Sequence, residues 1–140
     1  MTNVGMQTTT YQVEDRSWLL SPHGTDPGST PGITLDVSKF TAGTHFPNGY
    51  IPSGTVVAVV TASGMYGPYD DAAADGRNVA VGILFSKARV TLDNGTNATK
   101  AYGAILKHGV VSAGRLPFQS GTGFADANGK ADLKLIDWRA

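Results

Sequence analysis

Three aspartates, Asp70, Asp71 and Asp75, lie close together in MYGPYDDAAADGRNVAVGIL, residues 65–84. Clustered carboxylates can hold a hard cation or divide proton-transfer work, so their spacing is the first thing to test. With Gly76 as the glycine of a calcium loop, positions one and five would be Asp71 and Asp75, but position three is Ala73 and position twelve is Gly82. The bidentate carboxylate is missing. A hydrolase pair would need one carboxyl in an apolar pocket and one ionised, whereas these aspartates border Ala72, Ala73 and Ala74 and read as solvent-facing. The spacing predicts corner chemistry instead. Asp70 or Asp71 caps one helical turn through the alanines, and Gly76 ends it in the left-handed conformation.

Other groups give no better start. His23, His45 and His108 are scattered, with Gly or Phe following each rather than a second ligand at metal-binding spacing. No Gly-x-Ser-x-Gly elbow occurs, and Gly121-Thr122-Gly123 lacks the third glycine and following helix of a dinucleotide site. The sequons Asn94-Gly95-Thr96 and Asn97-Ala98-Thr99 read as a polar turn. The expectation is therefore a protein that is not an enzyme and has no metal or other cofactor.

Composition narrows the partners. Lys plus Arg and Asp plus Glu each number 11, so no positive field is available to hold a polyanion, and direct nucleic-acid binding is not expected. With no cysteine, disulfides and thiolate zinc sites are excluded. No stretch matches a secretory leader or is long enough to span a bilayer, so the reading is a soluble, unprocessed protein without a membrane partner.

The elements that must position these residues are mainly β. Eighteen Gly and seven Pro make turns frequent, and Glu14 is the only glutamate, so helices should be few and short. Ile33–Val37 alternates apolar and polar residues as a half-buried strand does. Asn48-Gly49 and Ser53-Gly54 supply corners, and Val56–Thr61 is β-branched and continuous, a central strand covered on both faces. Val79–Val90, Ala101–Leu106 and Val110-Val111 give further short strands, and Ala131, Leu133 and Leu135 alternate with Asp132 and Lys134 as a last one. The fold expected is a small β-clip or β-tulip-like barrel over residues 33–140, with one or two short helices. Residues 1–32 read as an extended arm and a Pro/Gly linker. The arm carries Tyr11, Val13, Trp18, Leu19 and Leu20, apolar groups suited to adhering to another surface.

Several segments also resemble, in order, the lambda-type phage head decoration proteins. They are Ile51-Pro52-Ser53-Gly54-Thr55-Val56-Val57, Tyr66-Gly67-Pro68-Tyr69-Asp70, the run from Asp75-Gly76 through Gly82-Ile83-Leu84, Ala104 to Val111 with Lys107-His108-Gly109, and Arg115-Leu116-Pro117. The likeness spans about residues 33–117 and is nearest to versions from tailed phages of actinobacteria. The resemblance implies a structural virion protein, made in the host cytoplasm. It would form a homotrimer on the outer surface of the expanded head, at three-fold and quasi-three-fold positions, cementing major capsid protein subunits against the pressure of packaged DNA. Thr8, Tyr11, Val13, Trp18, Leu19 and Leu20 would then belong to the capsid-binding arm. Ser53, Gly54, Gly67, Pro68, Tyr69, Asp75, Gly76, Gly82, Ile83, Leu84, His108 and Gly109 would be structural positions of the family pattern. The competing expectation is a β-barrel binding module for glycans or receptors, with Tyr50, Tyr66 and Tyr69 as its exposed aromatics.

Overall fold

A run of β-branched residues with no polar interruption fits a strand buried on both sides, and Val56–Val59 (β3) is that strand in the computed structural model of the chain. The structure describes residues 14–26, 28–92 and 95–140, so Thr8, Tyr11 and Val13 lie outside the described residues. Together with β3 the chain forms Gly32–Asp36 (β1), Tyr50–Ile51 (β2), Tyr66–Pro68 (β4), Gly82–Leu84 (β5), Ala88–Arg89 (β6) and Lys100–Leu106 (β7), of which β4 and β5 pair directly with β3. Five of these close a barrel in the order β1-β4-β3-β5-β7. Antiparallel pairs set Val57 opposite Pro68, Val56 opposite Ile83, Ile83 opposite Leu106 and Leu35 opposite Ala101. A single parallel step, Leu35 beside Tyr66, completes the ring. Closure removes the free sheet edges that would otherwise invite uncontrolled pairing.

Side chains on these strands alternate between two apolar layers. Val57, Leu84 and Ile105 join Leu35, Phe40, Phe46 and Ile51 in one cluster. Their neighbours Val56, Ala58, Ile83 and Leu106 join Trp18, Tyr69, Val111, Leu133 and Ile136 in the other. The barrel wall is thus covered on both faces, as the continuous apolar run of β3 requires.

The second layer is roofed by the C-terminal third, where the chain departs from expectation. Ala131–Leu135 is no strand: Ala127–Asp132 forms a short helix (α2), and the last strand is Ile136–Arg139 (β9), parallel to Gly109–Ser112 (β8). Asp126 explains the difference, since its side chain accepts the Gly129 N–H at 2.7 Å and caps the helix. Leu133 then turns inward, while Leu135 is left 70 % exposed. The only other α-helical turn among the described residues is Ala42–His45 (α1). Mainly β with two short helices is the architecture observed.

Residues 14–26 also differ from a free arm. Trp18 and Leu19 pack against this chain's own core, and Leu19 and Leu20 pair with β8.

Candidate functional site

The acidic corner is fully occupied in holding the fold together. Asp70 accepts the Ala72 N–H at 3.1 Å, and its carbonyl accepts the Ala73 N–H at 3.0 Å. That is a capped turn rather than the helical turn expected there. Gly76 has φ +109°, and a Cβ there would collide with the Thr61 hydroxyl, so this position requires glycine. Asp75 holds the Arg77 guanidinium at 3.0 Å, with Lys39 at 3.7 Å; the hydrogen bonds from Arg77 hold its carboxyl below the usual range.

Asp71 turns the other way and meets α2. The Tyr69 hydroxyl lies 3.0 Å from Asp126 Oδ1 and 3.2 Å from Asp71 Oδ1, and Asn128 Nδ2 donates to Asp71 Oδ2 at 2.9 Å. Tyr69 is only 1 % exposed. Burial, then the two carboxylates, raise the phenol far above its ordinary pKa, so it acts as a donor and not as an acid. Asp132 accepts the Ala80 N–H at 3.1 Å from the end of α2. This network therefore pins α2 to the strand that follows the corner, and it leaves no carboxyl poised over a cleft. Asp126 and Asn128, absent from the sequence reading, gain their partners only through the tertiary fold.

Among the described residues, no group of three or more His, Asp or Glu side chains could hold a metal ion. His45 is buried; its Nδ1 accepts the Thr41 N–H at 2.8 Å, which leaves the proton on Nε2 facing Thr122 Oγ1 at 2.9 Å and Thr122 O at 3.2 Å. Burial lowers its pKa, keeping it neutral. His23 and His108 meet edge to face, 5.4 Å between centroids.

The motif residues serve the barrel wall and its corners. Gly67, Pro68, Gly82, Ile83 and Leu84 lie in β4 and β5, and Gly109 opens β8. Ser53 and Gly54 have a further part. Residues 14–20 cross the second apolar layer as a strap, and Trp18, expected in a capsid-binding arm, is 1 % exposed within this chain's own core. Its Nε1 donates to Ser53 Oγ at 3.3 Å, and that hydroxyl donates on to Asp15 O at 2.7 Å. Gly54, with φ +93°, lets the indole approach: a Cβ there would stand 3.0 Å from Trp18 Nε1 and 2.6 Å from Pro117 Cδ.

Backbone pairing continues the strap. Leu19 bridges Val111 in antiparallel register, Leu20 donates to Val110 O at 3.0 Å, and Ser112 donates to Trp18 O at 2.8 Å. At its other end the Glu14 carboxylate accepts the Lys87 N–H at 3.0 Å. Arg16 lies 4.2 Å over the Phe85 ring and donates to Phe85 O at 2.9 Å. Leu20 alone of the three apolar strap residues is exposed.

Comparison with known families decides what such a barrel belongs to. The family model described as bacteriophage lambda head decoration protein D matches residues 28–136. The chain belongs to that family. The match reaches through α2 to the first residue of β9, beyond the segments that carry the resemblance, and it begins after the strap. No curated protein and no solved structure matches the chain. As a phage head decoration family member, the protein has a structural role at the capsid. No helix among the described residues is long and apolar enough to cross a membrane.

Proposed function

We propose that the protein is a homotrimer seated on the outer surface of the expanded phage head, at three-fold and quasi-three-fold positions. There it clamps neighbouring major capsid protein subunits against the pressure of packaged DNA. Membership of the head decoration family carries this reading. The occupied acidic corner supports it, because every carboxylate of that corner is used to brace the barrel. The burial of Tyr69 counts against a glycan-binding face built on Tyr50, Tyr66 and Tyr69, since a buried ring cannot stack on a sugar.

In this reading the head-binding arm is residues 1–13, with Thr8, Tyr11 and Val13; Trp18 and Leu19 serve as its root. Fixing about ten arm residues costs on the order of 10 to 20 kcal/mol of backbone entropy. Burying Tyr11 and Val13 returns roughly 1.5 to 3 kcal/mol each. Main-chain pairing with a capsid strand supplies a further share, and three arms on one particle multiply weak contacts. A trimer therefore holds a lattice well while one arm scarcely holds an isolated subunit.

Sedimentation should give a mass near three times the 14.6 kDa chain, and the protein should co-sediment with expanded heads but not with compact procapsids. Deleting residues 1–13 should keep that mass and abolish head binding. A monomer that never binds heads would refute the proposal.

A further inference from the structure

The strap is well built, yet the closed barrel order does not include it and the family match begins only at residue 28. Its fastenings run along its length: Glu14 on the Lys87 amide and Arg16 over Phe85 on one side, Trp18 against Ser53 and Gly54 in the middle, Leu19 and Leu20 on β8 at the other. What such fastening changes is the place where the preceding chain leaves the domain. With the strap seated, residues 1–13 leave the domain from the anchored Glu14, and fully extended those residues span about 45 Å. With the strap unseated, attachment falls back to β1 at Gly32, and residues 14–31 become slack between arm and barrel.

We propose that Trp18 is a positioning residue: by seating the strap it fixes the exit point of residues 1–13, beside Lys87 and Arg115, and so sets the reach and direction of the head-binding arm. This rests on the reading that residues 1–13 engage the head. Replacing a fixed root by eighteen residues of slack (14–31) lengthens the tether from 13 to 31 residues and lowers the effective concentration of the arm at its target about fourfold for each arm engaged. In this proposal Trp18 acts from within the chain's own core, where it is buried, and not as a capsid contact.

The test measures co-sedimentation with expanded heads for the full chain, the 1–13 deletion and Trp18→Ala, with the mass of each followed by sedimentation. Trp18→Ala is expected to keep the oligomer and bind more weakly by that factor. Adding Leu19→Cys and Val111→Cys to Trp18→Ala provides a rescue. These residues face each other as a non-hydrogen-bonded antiparallel pair, where Cα atoms approach most closely, and the chain has no other cysteine. Oxidation should restore binding and reduction should remove it again. Inserting eighteen Gly/Ser residues between Val13 and Glu14 leaves Trp18 seated and should weaken binding to the same degree. This second variant decides the matter even where Trp18→Ala fails to fold. Unchanged affinity of the insertion variant, with binding lost on deleting 1–13, overturns the positioning role alone. Full binding by the deletion variant overturns the arm reading and the inference together.

Discussion

His45 is the histidine that the fold removes from water, and its two ring nitrogens tie α1 to the loop at Thr122. Its pKa in the folded chain lies below the ordinary 6.5 because burial penalises the charged ring. Between that lowered value and 6.5 the unfolded chain takes up a proton that the native chain refuses. Stability from this group is therefore full above 6.5, and it is lost as pH falls toward the folded value. His45→Gln should lose about 1 to 3 kcal/mol at pH 7.5 through its broken hydrogen bonds. Urea unfolding at about pH 7.5 and pH 5 should show the gap between wild type and variant narrowing on acidification; a constant gap would contradict the assignment. At this scale the sequence was least informative. The aspartates could be read as corner residues from ligand positions alone, but nothing near His45 or Trp18 signals that either turns inward. Their burial depends on Thr122 and Ser53, 77 and 35 residues away.

The elements were legible wherever local pattern and tertiary demand agree. Val56–Val59 could be read as a two-faced strand because both of its faces are in fact covered, and Ile33–Val37 alternates because one side faces the cluster of Ile51, Leu84 and Ile105. Helix α2 was not legible. The alternation of Ala131, Leu133 and Leu135 suits a strand, and the helix wins through contacts that only the folded chain supplies: the Asp126 cap, and Tyr69 and Asp71 holding Asp126 and Asn128. Asp126→Ala removes the cap and one Tyr69 acceptor together. It should cost about 1 to 3 kcal/mol, more than a lone exposed cap, and hydrogen exchange should rise first in residues 127–133. Equal protection in α2 with and without Asp126 would show that packing of Leu133 alone holds the helix. The strap fell between these cases. Its apolar triplet Trp18-Leu19-Leu20 stood out in the sequence as adhesive, and adhesive it is, but two of the three residues spend that property on their own barrel.

For the whole molecule the balance of charge shapes how it meets its partner. Eleven basic and eleven acidic side chains leave no net charge at pH 7, so the chain has no monopole for a charged head to attract or repel at long range. Ion pairs among the described residues include Asp75 with Arg77 and Lys39, Glu14 with Arg16, and Asp137 with Arg139. In the proposed reading, docking rests on short-range terms: apolar burial by the arm, backbone pairing and the multiplicity of arms. Raising salt from about 50 to about 500 mM shortens the screening length severalfold. Yet head affinity measured by co-sedimentation should shift by no more than about threefold. A polyelectrolyte contact that released several counterions would lose orders of magnitude over the same range. A steep loss would therefore place charged side chains at the centre of the contact and displace the apolar arm from that role. A flat response, joined to loss of binding on deleting residues 1–13, fits a clamp whose grip comes from main-chain pairing repeated around a symmetric particle.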